Sequence, residues 1–256
     1  MDRASQQADT TIRIAGAGDI HCQDSRRAEA MRVFDELADP VDLVLLAGDL
    51  TAHGEPSEAA ILADASQRID APVVAVLGNH DWHLARQGEI TAILTEAGVR
   101  VLERDSTTYM VNGAEVGIAG TKGFVGGFAP SHVSDFGEPA LRRLYAETSE
   151  EVEALHRGLG AIATCPIRIV LLHYSPIAET LEGERPGIWP FLGTDRLAAP
   201  ILEREPDLVL HGHAHSGRFE GRIGATPVYN VSVPVMGRDF WRIELSTSTV
   251  PVSPVH

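Results

Sequence analysis

The 256-residue chain has little cysteine, few basic residues, few aromatic side chains and no long apolar run. Only Cys22 and Cys165 occur, so neither a disulfide framework nor a thiolate metal site is expected. Lysine and arginine number 21 against 36 aspartates and glutamates, a formal net charge of −15. Broad nucleic-acid binding needs a basic surface, and this balance argues against it. A small anionic substrate stays open, because bound cations can dominate the field of a site. No apolar stretch reaches the roughly 18 residues of a membrane helix. The opening residues Met1–Gln7 lack the apolar segment of a signal peptide. A cytoplasmic protein that does not enter membranes is therefore expected, with its oligomeric state left open. The triplet Asn230-Val231-Ser232 lies in a strand-like segment, where its likeness to a glycosylation acceptor is coincidental.

What the chain does have is apolar runs that end in chemistry. Val73–Leu77 reads as a buried strand, and it breaks into Gly78-Asn79-His80-Asp81. Glycine there permits a sharp turn or a close approach. The next three residues supply a neutral oxygen ligand, a proton carrier and a carboxylate able to orient it. Thr11–Ala17 leads similarly into Gly18-Asp19-Ile20-His21. The dinucleotide fingerprint fails in this loop, since His21 stands where its third glycine belongs. Val41–Ala47 ends in Gly48-Asp49, Pro166–Leu172 in His173, and Asp207–Leu210 in His211-Gly212-His213-Ala214-His215. Helices are expected over 25–38, 56–69, 89–97, 138–159 and 195–204, with short strands at 99–102, 227–233 and 240–245. The repeated strand–helix alternation in the first half predicts parallel pairing and an α/β fold. Asn112-Gly113 between two β-like runs predicts a hairpin. The glycine-rich 120–127 lacks a P-loop ending and reads as a surface loop bordering the site. The charges of 138–159 read as a solvated face. Without repeats or low-complexity linkers, residues 1–10 are expected to be a flexible tail and 11–256 one domain.

Five strand ends thus carry potential ligands: Asp19 and His21, Asp49, Asn79, His173, and His213 with His215. In open α/β sheets, ligands bind outside the carboxyl ends of the strands. Seven nitrogen and oxygen donors without sulfur suit manganese, iron or zinc, and seven is more than one ion needs. Two divalent ions sharing a carboxylate account for the number, as in hydrolysis at phosphorus.

The ordered set Asp19-x-His21, Gly48-Asp49, Gly78-Asn79-His80-Asp81, His173 and Gly212-His213-x-His215 resembles the calcineurin-like metallophosphoesterase superfamily. Gly48-Asp49-Leu50-Thr51-x-x-Gly54 is similar to its bacterial cyclic-nucleotide phosphodiesterase branch. The resemblance implies a four-layer αββα sandwich of two mixed β-sheets, with the metal site at the carboxyl ends of the strands. It implies one ion on Asp19, His21 and His215, a second on Asn79, His173 and His213, and Asp49 between them. A hydroxide bridging the pair would attack phosphorus. His80, oriented by Asp81, would bind the phosphate and protonate the leaving oxygen. The expected activity is phosphodiester hydrolysis of a small anionic substrate. The alternatives are phosphomonoester or pyrophosphate-bond hydrolysis on a nucleotide or lipid conjugate, and a non-catalytic protein-binding scaffold. Trp189 and Phe191, in the Gly/Pro-rich 177–193, either stack on a flat substrate group or pack that segment onto the core. Arg26, Arg27 and Lys122 are basic residues near the motifs that read as surface charges.

Overall fold

The computed structural model describes residues 10–38 and 40–247. The expected N-terminal tail lies, apart from Thr10, outside the described residues. The first half alternates β1 (Thr11–Ala17), α1 (Arg27–Asp35), β2 (Leu43–Ala47), α2 (Pro56–Ser66), β3 (Val73–Val76), α3 (Gln87–Glu96) and β4 (Arg100–Val101). Next come the hairpin β5 (Asp105–Val111) and β6 (Ala114–Thr121), the short pair β7 (Gly127–Phe128) and β8 (Ser131–His132), and α4 (Pro139–Ala161). The chain continues through β9 (Ile167–Leu172), α5 (Trp189–Leu192), α6 (Ala198–Arg204) and β10 (Leu208–His211). It closes with β11 (Glu220–Ile223), β12 (Thr226–Asn230), α7 (Val233–Met236) and β13 (Trp241–Ser246).

The strands build a sheet of order β13-β1-β2-β3-β4 and another of order β11-β12-β10-β9-β6-β5. The pairs among β1 to β4 are parallel, and β13 returns antiparallel to β1. In the second sheet β6, β9, β10 and β12 run parallel, while β5 and β11 are antiparallel edges. Both sheets are mixed. The central strands are largely apolar because both faces are buried, whereas the edge strands β5 and β11 carry exposed polar residues. The two-residue period divides each strand between layers. Ile12, Ile14, Leu43, Leu45, Val74 and Val76 meet Val116, Ile118, Ile167, Ile169, Leu171, Leu208 and Leu210 between the sheets. The intervening Ala15, Val44, Leu46, Val73 and Ala75 pack on Phe34, Ile61, Leu62, Ile90 and Leu94 of the first helices. Val170, Leu172 and Val209 face Leu155, Leu159 and Ile201 of α4 and α6. The layers are therefore helix, sheet, sheet, helix.

Local chemistry explains the boundaries. Pro56 opens α2, whose Glu55 and Glu58 form a reciprocal capping box. Asn112 and Gly113 both take positive φ, 50° and 87°, as a type I′ hairpin turn requires. The predicted strand 227–233 stops at Asn230, and Val233–Met236 turns into a short helix. Pro234 has no N–H to extend a ladder. Strand β11 gave no sequence signal, since its inward positions are only Gly221 and Ile223.

Two expectations about surfaces are corrected. Gly123, Gly126 and Gly127 of the expected surface loop are buried, with the Gly126 and Gly127 amides donating to the Pro190 and Gly193 carbonyls at 3.0 and 2.9 Å. The charge run of α4 is not wholly solvated either. Glu151 is buried, and it accepts the Gly123 amide at 2.9 Å and the Thr121 hydroxyl. A carboxylate at that position satisfies loop groups that water does not reach.

Candidate metal centre

All seven expected ligands stand in the loops that leave β1, β2, β3, β9 and β10 on one edge of the two sheets. The backbone there is unusual. Asp19, His21, Asp49 and His213 have φ of 58°, 48°, 49° and 71°. Non-glycine residues rarely enter this left-handed region, and its cost is typical of functional sites. Hydrogen bonds between the loops hold it: the Asp19 amide donates to Gly48 O at 2.9 Å and the His21 amide to Asp49 O at 3.0 Å. Two glycines make the crossing possible. A Cβ on Gly48 (φ 82°) would stand 2.6 Å from His173 Nδ1, and one on Gly78 would stand 2.1 Å from Asp49 Oδ1.

The side chains converge in three groups whose donor atoms lie within 4.8 Å of one another: Asp19, His21 and His215; His21, Asp49 and His80; Asp49, His173 and His213. Asn79 joins the last, its Oδ1 2.9 Å from His173 Nε2. Asp49 links the second and third groups. Burial works against a charged Asp19, but the bond from His215 Nε2 (2.8 Å), with the nearby His173, brings its carboxyl down to about 2. The same contact raises the His215 imidazole. Burial, with His173 beside it, pushes His213 down to about 3 and keeps it neutral.

Backbone carbonyls fix which ring nitrogen carries the proton. His173 Nδ1–H donates to Ala47 O at 2.9 Å, and His213 Nε2–H donates to Phe191 O at 3.2 Å. A carbonyl only accepts, so the opposite nitrogen keeps its lone pair. The His173 Nε2 lone pair therefore faces two more acceptors, Asn79 Oδ1 and Asp49 Oδ1, the latter at 3.4 Å. Acceptors that converge without a proton between them fit a cation. The set is imidazole, carboxylate and amide oxygen. Burial pushes the nearby Cys22 thiol up to about 12, so no thiolate competes. These donors fit a divalent metal of the manganese, iron or zinc kind.

His80 and Asp81 part company with the expectation. Asp81 is fully buried, and its oxygens accept the Leu50 (3.1 Å), Thr51 (2.8 Å) and Gly78 (2.8 Å) amides and the Thr51 hydroxyl (2.6 Å). It ties the β2 loop to the β3 loop and does not orient His80. The His80 ring is held instead by the Ala52 carbonyl, to which Nδ1–H donates at 2.7 Å, while the His80 amide donates to Asp49 Oδ1 at 2.8 Å. A backbone carbonyl leaves no sequence signal. The two aromatic candidates also separate. Trp189 packs on the buried Phe128, Leu181, Leu192 and Ala214 cluster and donates Nε1–H to Glu184 O, whereas Phe191 is 63% exposed and meets the site through its carbonyl. Arg26 and Arg27 are surface charges paired with Glu29 and Asp64. Lys122 is not one: its ammonium lies over the Phe124, Tyr174 and Trp82 rings at 4.4, 5.2 and 5.7 Å.

Sequence reasoning passed over His211, which supports the site from below. It is fully buried between Gly212 O (2.8 Å) and Thr180 Oγ1 (2.9 Å), and burial pushes its imidazole down to about 4. Its folded value lies below the ordinary 6.5, so the unfolded chain takes up the proton first as the pH falls. The stability that neutral His211 supplies is complete above about pH 6.5 and is lost towards pH 4. The loss should be about 3 kcal/mol. In chelator-treated protein, the gap in unfolding free energy between wild type and His211→Asn should shrink by that amount from pH 6.5 to 4. A gap that does not change with pH contradicts this reading.

No sequence match was found among curated proteins. Among solved structures, the phosphopantetheinyl hydrolase of Mycobacterium tuberculosis superposes with a TM-score of 0.66 at 18% identity, covering 86% of this chain and 89% of its own. GAP50, described as the anchor in the inner membrane complex of Plasmodium, gives 0.60 at 12% identity over 96% and 89%. At such identities these likenesses speak for the fold. No helix among the described residues is long and apolar enough to cross a membrane. The profile of the calcineurin-like phosphoesterases matches residues 12–217, most of the chain and every strand end described above. The chain therefore belongs to the calcineurin-like phosphoesterase family and is a metal-dependent phosphoester hydrolase.

Proposed function

We propose that the protein is a phosphodiesterase that works with two divalent ions, carried by the single domain read from residue 11 onward. Asp19, His21 and His215 would hold one ion and Asn79, His173 and His213 the other, with Asp49 shared. Bound there, the ions would acidify a water to make the nucleophile and would steady the phosphoryl oxygens. The protein's own part is to aim lone pairs and to move a proton. The carbonyls of Ala47 and Phe191 set the tautomers of His173 and His213. His80, with Nδ1–H committed to Ala52, turns Nε2 towards Asp49 and the substrate side. It hydrogen-bonds the phosphate and serves the leaving oxygen. Asp81 acts as a positioning residue, locking the loops that carry Asp49 and Asn79.

One observation carries the choice of diester over monoester. Among the described residues, the ion-pair partners of Asp19 and Asp49 are all histidines. Arg26 and Arg27 are spent on surface carboxylates, and Lys122 sits among aromatic rings. A monoester dianion gains most from extra cations around its free oxygens, and a monoanionic diester needs them least. kcat/KM for bis(p-nitrophenyl) phosphate should exceed that for p-nitrophenyl phosphate in manganese-loaded protein. A monoester preference with every metal tried would overturn the assignment. A scaffold role, as the GAP50 description suggests for that protein, has no use for converging lone pairs or a poised His80. A cytoplasmic location agrees with Cys22 and Cys165 both being free, buried thiols.

A further inference from the structure

Beside the ligand cluster, a cavity of about 270 Å³ opens between the end of β6 and the loops that follow β3 and β4. Its lining includes Leu77, Trp82, Leu102, Glu103, Arg104 and Lys122. It lies on the same sheet edge as the metal centre, one strand further out in each sheet. Its walls are tied to the ligands. Leu77 precedes Gly78-Asn79, and the Trp82 amide donates to Asn79 O at 3.3 Å, closing the turn that carries His80. The Lys122 carbonyl accepts the amides of His173 at 3.1 Å and Tyr174 at 2.9 Å. A group attached to a phosphate at the centre therefore has a hollow within reach on this side.

The chemistry of the hollow is specific. Trp82 is 39% exposed, a large ring left open where Leu77 and Leu102 are buried. Lys122 is fixed over one side of it by the ring contacts above and by donating to Gly123 O at 3.0 Å. Arg104 is already committed to Glu147, Glu150 at 2.6 Å and Glu151 at 3.0 Å. Against these two cations the lining sets Glu103, Glu147 and Glu151. The side chains of the hollow are thus negative on balance and offer an aromatic face.

We propose that this cavity is the subsite for the organic group of the diester, and that it takes an uncharged flat group stacked on Trp82 in preference to one bearing a further phosphate. The proposal rests on the diesterase reading and adds the substrate class. Stacking a base on an aromatic side chain is worth about 1–3 kcal/mol, roughly 5- to 150-fold. Three chromogenic diesters test it: methyl p-nitrophenyl phosphate, thymidine 5′-(p-nitrophenyl phosphate) and the 3′-phosphorylated form of the latter. In wild type, kcat/KM should be about tenfold or more higher for the thymidine ester than for the methyl ester, and should fall again with the 3′-phosphate. Trp82→Ala should collapse the thymidine-to-methyl ratio about tenfold and Trp82→Phe should restore part of it. Glu103→Gln should narrow the discrimination against the 3′-phosphate. A ratio unmoved by Trp82→Ala, or a preference for the 3′-phosphate, overturns the subsite. If wild type cleaves no diester, the diesterase reading falls on its own. The subsite is then judged by equilibrium binding of thymidine to the metal-loaded protein. Binding lost in Trp82→Ala upholds it, and absence of binding to wild type overturns it.

Discussion

Asp49→Ala should cost on the order of 10³-fold or more in turnover, since it removes a ligand on which several kcal/mol of transition-state stabilisation by both ions depends. Asp49 is the one carboxylate in two of the three convergent groups. Its Oδ2 lies 4.0 Å from His21 Nε2, and its Oδ1 lies 3.4 Å from His173 Nε2. Its place is also guarded, for the Gly78 backbone passes so close that no Cβ fits. Elemental analysis of wild type reloaded with manganese should approach two ions per chain, and Asp49→Ala should fall clearly below it. Ion binding should also register as stability. At about a hundred times its dissociation constant, one ligand adds about 2.7 kcal/mol. In a chain of this size that raises Tm by roughly 5–10 °C. The variant should lose most of that rise, read as the difference between its own metal-loaded and metal-free Tm, because removing the carboxylate also takes away the acceptor of the His80 amide and shifts the metal-free Tm itself. Saturation at one ion in wild type, or full occupancy in Asp49→Ala, would sink the shared-carboxylate assignment.

The parts of the site legible in the sequence are those that the strand pattern itself encodes. β1, β2, β3, β9 and β10 end in apolar runs because both faces are buried there, so the first polar residue after each run marks a sheet edge. Asp19, Asp49, Asn79, His173 and His213 are those residues or their near neighbours. Contacts between distant segments were not legible. Glu151 belongs by sequence to the polar face of a helix, yet it is the partner of Thr121 and Gly123. Lys122 follows Thr121 in a glycine-rich run, and nothing local says that Phe124, Tyr174 and Trp82 will gather around its ammonium. Asp81 stands next to His80, and adjacency suggested a pair. Three amides and a hydroxyl claim that carboxylate first, since a fully buried one needs every donor it can reach. Trp189 and Phe191 lie two residues apart, and only the packed loop decides which ring is sheltered.

His80 is expected to matter for the proton and not for the metal. Geometry alone allows the other reading, because His21, Asp49 and His80 converge as tightly as the other groups do, with the His21 and His80 rings 4.6 Å apart. Two features favour the proton. His21 is already matched with Asp19 and His215, and Asp49 with His173 and His213, so His80 is the member without a second group. Its Nδ1–H is bound to the Ala52 carbonyl, which leaves Nε2 as the one nitrogen free to exchange a proton with a leaving oxygen. His80→Ala should keep its full metal content and lose on the order of 10²–10⁴ in turnover, the usual size of a general acid–base contribution. The loss should be smaller on p-nitrophenyl esters, whose leaving group departs without a proton, than on alkyl esters that need one. Comparing the two ester classes in one variant separates this role from a merely structural one, which would depress both alike. If His80→Ala sheds an ion as readily as Asn79→Ala does, His80 is a ligand and the proton must come from elsewhere.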